Sequence, residues 1–495
     1  MQSKPPAVNL RHPADLTLEA FEDVVWSGRA VVLAPELLSA IGASRAAVEQ
    51  ALHGDEALYG VNTGMGYLST VRLSEEEQQH HASNLFLGRA VGGPPFLHRG
   101  EARALLLARL AGFLSGQAGV TPALCAFIVD RLNDDFVPAI PRTDLGTAGE
   151  IIPLSHAFGT FLGMGEVLAA HDTTRSSADA LAERDVTPYS PVAKEGIALL
   201  AGAPGTLALA IARRRTVAVL LRQLVVCWAC AVDAIEAPRT PYDAALGDLS
   251  HDPIMERVLA RLGELLRGSQ AQQRVTQAPV SFRVIPQVLT HLQRTLDRFE
   301  EDIRRALLAV TDSPVFHDGR FLTTGGFHEL GLAAGMDALC IALIQGAELS
   351  AQHVHRLLDQ RFSGLPDQLA ASPGPQAGLV VVHKRMVGTV HRLRPLAAPA
   401  SVGLVDTSMG QEDAMTFAFE AAEKLRVVEH ALRDVIACEL LTCRQAWALR
   451  SSPPAEGLHE YVAELADVVE PVERDRPLGP EIDGVAALVT MGAFQ

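Results

Sequence analysis

Residues 411–452 read QEDAMTFAFEAAEKLRVVEHALRDVIACELLTCRQAWALRSS, a stretch with neither glycine nor proline. Within it Met415, Ala418, Ala422, Leu425, Val428, Leu432 and Val435 recur at steps of three and four, the spacing that lines one buried face of a helix. At 1.5 Å per residue such a helix would run roughly 60 Å, longer than a compact monomer normally carries. Gln287 to Ser313 is likewise free of glycine and proline, with Val288, Leu292, Leu296 and Phe299 as its stripe. Gly331 to Phe362 is a third such stretch, tolerating Gly335 and Gly346. Helices this long bury themselves best in a bundle shared between subunits, so an all-α homo-oligomer is expected.

The first half is more broken. Glycines cluster at 60–66 and 88–93, and the turn-rich stretch Pro138 to Pro153 separates shorter helices. Strand-like runs are confined to Val31–Leu33 and the neighbourhood of Phe316 to Leu322. No linker or internal repeat interrupts the chain. It is read as one continuous fold with an N-terminal region, 1–205, a long-helix region, 206–495, and a further helix from Leu458 to Val469.

Composition narrows the function classes. The 495 residues are 48% hydrophobic and 20% charged, an ordinary globular balance. A formal net charge of −16 argues against nucleic-acid binding, which needs basic patches. The densest basic cluster, Arg213 to Arg215, reads as a solvated helix face. Six scattered cysteines form no disulfide framework and suit a reducing cytosol. Cys227 and Cys230 make a C-x-x-C in an apolar helical stretch, with no second pair or nearby histidine, so buried core cysteines are the better reading. His156 and His328 lack companions at ligand spacing, and no metal is expected. The most apolar region, Ile197 to Ile235, is broken by Gly202, Pro204, Gly205 and four arginines, so no membrane span is expected, nor does Met1–Leu10 have a signal layout. A cytoplasmic protein follows.

Tyr59-Gly60-Val61-Asn62-Thr63-Gly64-Met65-Gly66 is a glycine-rich loop whose spacing fits neither a P-loop nor a dinucleotide fingerprint. It resembles the Tyr-Gly-x-Asn-Thr-Gly-x-Gly segment of the aromatic amino-acid ammonia-lyases and aminomutases. Asn84-Leu85, Leu145 to His156 (LGTAGEIIPLSH), Lys194 to Gly202 (KEGIALLAG), Gln277 to Gln287, Gly325 to His328 and Gln411-Glu412-Asp413 match further segments in the same order. The resemblance runs from about residue 15 to 450. It implies a mainly helical homotetramer with active sites assembled from more than one subunit, a tyrosine (here Tyr59) as catalytic acid/base, and an arginine (here Arg283) that grips the substrate carboxylate.

That family's reaction depends on an electrophile, a methylidene-imidazolone (MIO), which forms from Ala-Ser-Gly. The glycine nitrogen closes a ring on the first carbonyl, and the serine then loses water to leave an exocyclic methylene. Here the former MIO loop reads Thr147-Ala148-Gly149. Threonine is tolerable at the first position, since only its carbonyl enters the ring. Ala148 has no hydroxyl to expel, so no MIO and no other cofactor is expected. Other positions depart too: Ala201, Ala278, Val280 and Gly326 replace active-site asparagine, aspartate, tyrosine and asparagine, Gly88-Arg89 replaces Ser-His, and Glu150 replaces aspartate. Losses at so many positions indicate natural divergence.

The retained set is Tyr59, Gln277, Arg283, Phe327, Gln411 and Glu412. Tyr59, Arg283 and Glu412 are the candidate catalytic residues; Arg89, Gln277, Phe327 and Gln411 are candidates for substrate binding. The Arg283 fork can hold a carboxylate through two parallel hydrogen bonds, or form a structural salt bridge. Tyr59, with an ordinary pKa of about 10, needs its phenolate stabilised to act as a base; alternatively its hydroxyl is satisfied by backbone. Arg89 either receives a polar or anionic substrate group or pairs with Glu412. Two functions stand open. One is a MIO-less enzyme of specialised-metabolite biosynthesis that acts on a small carboxylate by tyrosine-based proton transfer (elimination, addition, isomerisation or cyclisation). The other is an inactive homologue serving as a binding or scaffold subunit.

Overall fold

The computed structural model describes residues 6–52, 57–170, 173–270 and 275–495. Its longest helix is Ala418–Leu449, and every member of the expected stripe is buried. It starts seven residues later than the sequence pattern. Phe417 adopts a left-handed φ of 47°, which an α-helix cannot continue through. Loop bonds hold the residues before it: Gln411 N donates to Ser408 O at 3.2 Å, Thr407 N donates to Glu412 O at 2.8 Å, and Ala148 N donates to the Glu412 carboxylate at 3.3 Å. The helix therefore spans about 48 Å rather than 60.

Ile285–Leu308 and Leu330–Leu357 are the other two long helices foreseen. Leu292, Leu296 and Phe299 are buried as expected, while Val288 is half-buried beside a fully buried Leu289. Pro204–Ala234 is a further long helix. It begins at proline, which lacks the amide hydrogen that a first helical residue leaves unpaired anyway. Together with Glu195–Leu200 it forms an apolar stretch long enough to cross a membrane by length and composition, as does Gly326–Leu357. Their most apolar windows are 78% and 61% buried, as in core helices.

Val31–Leu33 is a strand, paired in parallel with Val8–Leu10, and Val315–His317 forms a hairpin with Arg320–Leu322. The sequence reading missed Val8–Leu10, the hairpin Glu166–Leu168 with Thr174–Ser176, and the terminal helix Gly479–Met491. The expected helix near 458–469 is His459–Ala466.

The described chain falls into two compact units that interleave along the sequence. The first, Met1–Arg213 with Glu300–Met336 and Ala400–Glu423, takes up the N-terminal region and two later segments. It contains a fully buried ion pair, Lys194 Nζ to Asp312 Oδ2 at 2.5 Å. It also corrects part of the reading of the arginine cluster: Arg213 is buried and pairs with Glu101 at 2.5 Å, because protein packs against that side of helix 204–234, whereas Arg215 is exposed as expected. The second unit comprises Arg214–Phe299, Asp337–Pro399 and Lys424–Gln495. There Asp233 accepts from Trp447 Nε1 at 3.0 Å and Arg450 Nη2 at 2.7 Å. Cys227 and Cys230 are buried free thiols, as anticipated.

Candidate active site

A cavity of about 350 Å³ opens in the first unit, walled by loops and by the helices Ile151–Gly159 and Glu195–Leu200. Tyr59 stands on one side. Its loop turns at Gly60 and Gly66, both with positive φ, and a Cβ on Gly60 would press on Ile197 at 3.0 Å. Asn62 Oδ1 accepts from Leu58 N at 2.8 Å, fixing the loop's base. The turn brings Gly66 N to Tyr59 Oη at 2.8 Å. The phenol oxygen is thus an acceptor of backbone N–H, as one sequence reading anticipated. This leaves the hydroxyl proton free to be given away, with a donor aimed at the oxygen where negative charge would then develop.

Opposite stands the 147–150 loop. Thr147 Oγ1 donates to Gly149 O, and Ala148 N donates to Glu412 Oε2 at 3.3 Å. The Phe327 ring lies 3.7 Å from where a Cβ on Gly149 would sit. Glu412 is held in turn by Ser408 Oγ at 2.9 Å and Thr407 Oγ1 at 3.4 Å. Gln411 completes this side.

Arg89 follows the helix Glu75–Leu87 and is half-buried. It donates to Leu85 O at 3.2 Å and to Met65 Sδ at 3.7 Å, and Met65 is itself part of the wall. Arg89 makes no ion pair with Glu412 among the described residues. Burial lowers its pKa, while the charges of Tyr59 and Glu412 act against that.

Several wall residues escaped sequence reasoning. Glu150, taken as a mild change, is buried and lines the cavity. Its carboxylate accepts from Gly205 N and Thr206 N, each at 2.5 Å, closing the N-terminus of helix 204–234. Burial pushes its pKa from 4.5 up to about 7, against the pull of those donors and of Arg109. The available signal was an acid set directly before the apolar run Ile151-Ile152-Pro153-Leu154. Ser313, Thr323 and Thr324 enter from the ends of the 315–322 hairpin, and nothing in their sequence marked them. Ala201 lines the cavity where the resemblance expects an asparagine; its carbonyl accepts from the buried Arg109.

Gln277 and Arg283 belong to the second unit, where Arg283 Nη1 donates to Gln277 Oε1 at 3.2 Å. The Nε of Arg283 is buried without a partner among the described residues.

The family model for aromatic amino acid lyases matches residues 16–467. The chain belongs to that family. It is 30% identical to the histidine ammonia-lyase of Burkholderia multivorans and 31% identical to that of Geobacillus thermodenitrificans, with 97% of each chain covered in both cases. Among solved structures, it is similar to the tyrosine aminomutase of Streptomyces globisporus with a TM-score of 0.92 at 26% identity, covering 99% of this chain and 97% of that one. The mainly helical, histidine ammonia-lyase type of fold expected from the resemblance is therefore the fold of this protein, and the family's activities are lyase and aminomutase chemistry.

Proposed function

We propose that this family member is an enzyme that works without a MIO group, moving a proton with Tyr59 on a small carboxylate-bearing substrate. The carrying observation is the cavity itself. A chain kept only as a scaffold has no need of 350 Å³ of space bounded by Tyr59, Glu412, Gln411 and Glu150, and such convergent polar groups mark ligand sites. The Thr147–Gly149 loop does not fit the family's prosthetic group: the Ala148 methyl offers nothing to eliminate, and Ala201 offers no side-chain amide.

The residues divide the work. Tyr59 Oη gives or takes a proton, with Gly66 N–H steadying the oxygen. Glu412 fixes the Ala148 peptide on the facing wall. Arg283 grips the carboxylate, a reading supported by its buried, unspent Nε donor. Arg89, bonded among the described residues to a carbonyl and a thioether, attracts a polar or anionic group at the substrate's other end. Without an electrophile to capture an amine, the substrate must supply its own activation. Elimination, addition, isomerisation or cyclisation on such a molecule meets that demand. We further propose a homotetramer in which Arg283 of one copy serves the cavity of another.

Intact-mass spectrometry tests the first step. The mass should equal that of the unmodified sequence, with no added near-ultraviolet absorbance. A deficit of two waters would sink the proposal.

A further inference from the structure

Arg283 ends a four-residue helical turn, Val280–Arg283. One turn cannot hold itself, because helix nucleation costs more than a single hydrogen bond returns. Its carbonyls are instead gripped from outside. Tyr242 Oη donates to Phe282 O at 2.8 Å, and His353 Nε2 lies 3.0 Å from Ser281 O. We propose that the fully buried pair His353–Glu439 is the positioning element for Arg283, anchoring its turn through the Ser281 carbonyl; this rests on the reading of Arg283 as the carboxylate grip.

The proton inventory supports the assignment. A carbonyl oxygen carries no hydrogen, so Nε2 must be the donor. The other ring nitrogen, Nδ1, faces Glu439 Oε1 at 2.8 Å. Two acceptors would repel there, so one proton lies between them. Whether drawn as imidazolium with carboxylate or as neutral imidazole with carboxylic acid, the pair is neutral overall and leaves no isolated charge in the core. The ring is also locked in place: Phe282 packs at 4.5 Å between centroids, and Trp228 meets it edge-on at 5.6 Å. His353 sits on helix Leu330–Leu357 and Glu439 on helix Ala418–Leu449, so the short turn is tied to two long rigid elements. Among the described residues, neither member of the pair bonds the guanidinium, whose side-chain partner there is Gln277. Their effect on binding is therefore indirect.

Two polar variants separate anchoring from mere packing. The amide of glutamine reaches the position of Nε2, whereas that of asparagine stops near Nδ1. In His353→Asn, exchange of the Arg283 and Val284 amide hydrogens should rise about tenfold, the scale of one lost hydrogen bond. His353→Gln should stay within about twofold of the parent protein. Helix 418–449 serves as the internal control and should not change in either variant. Equal exchange in the two variants, or a rise shared by that helix, overturns the anchor. Affinity for 3-phenylpropanoate, measured in parallel, should follow the turn, weakening in His353→Asn and recovering in His353→Gln. If the turn responds but Arg283→Ala binds this probe as well as the parent does, the carboxylate reading of Arg283 fails while the anchor stands.

Discussion

The strut behind the cavity and the wall in front of it treat charged side chains in opposite ways. Lys194 and Asp312 are both fully buried and meet at 2.5 Å, and Lys194 Nζ spends another proton on Ala118 O at 2.9 Å. This pair ties the segment that supplies Ile197 and Leu200 to the one that supplies Ser313. On the wall, Glu150 is held by the peptide N–H groups of Gly205 and Thr206 and by the Thr206 side chain, and Glu412 by a peptide and two hydroxyls. No counter-charge is in contact with either among the described residues. A paired charge fixes structure; an unpaired carboxylate beside open space is free to change protonation or receive a ligand.

The sharpest way to break this contrast is at the strut. Lys194→Met should destabilise the protein by about 3–5 kcal/mol in a denaturant titration, because it strands Asp312 as a lone buried charge. Adding Asp312→Leu should recover most of that loss, since an apolar pair needs no compensation. A wall residue should show the reverse pattern, large in chemistry and small in stability. Tyr59→Phe should lower turnover by about a hundredfold or more, the usual contribution of a proton-transfer group. Its melting curve should shift little, since the one hydrogen bond lost among the described residues is that from Gly66 N. Unchanged biological activity in Tyr59→Phe would favour the scaffold reading.

The same division explains how much could be read from sequence. Long helices were legible because burial repeats every three or four residues, and Met415 to Val435 follows that period throughout. The start of the 418–449 helix was not, because a single left-handed residue, Phe417, and the bonds made by Glu412 override local propensity. Short strands such as Val8–Leu10 carry too few residues to show a period, and were visible only where an apolar run stood alone, as at Val31–Leu33. At the cavity, the resemblance located Tyr59, Gln411, Glu412, Phe327 and the 147–149 loop, because glycine turns and short polar motifs mark them. Glu150 was under-read because its consequence is burial, a property of the surrounding fold. Ser313, Thr323 and Thr324 are ordinary loop residues until the hairpin brings them to the wall.

Glu150 sharpens the comparison through pH. Its folded pKa, about 7, is raised above its ordinary 4.5, so the folded state holds a proton that the unfolded chain has released anywhere between those values. Stability must then fall as pH rises across that window, by up to about 3 kcal/mol from this group. Glu150→Gln keeps the shape and cannot ionise. It should flatten the pH 5 to 7 slope of unfolding free energy relative to the parent protein. An unchanged slope would mean that the carboxylate is already ionised at pH 5, held by Gly205 and Thr206 N–H more strongly than burial opposes it.

The smallest effect comes from an ion pair that resembles the strut in length but not in surroundings. Arg304 Nη2 reaches Glu19 Oε1 at 2.8 Å, with side chains 46% and 67% exposed, and also reaches Glu300. That contact draws the Glu19 pKa down to about 2, yet water already solvates both partners well. Glu19→Gln should therefore cost less than about 1 kcal/mol. The loss should shrink further in molar salt, where screening acts within about 3 Å. Lys194→Met should keep its full effect there, because salt does not reach a pair with no exposed surface. If the two variants respond to salt alike, solvation is not what separates the strut from the surface, and the contrast between paired and unpaired buried charge loses its physical basis.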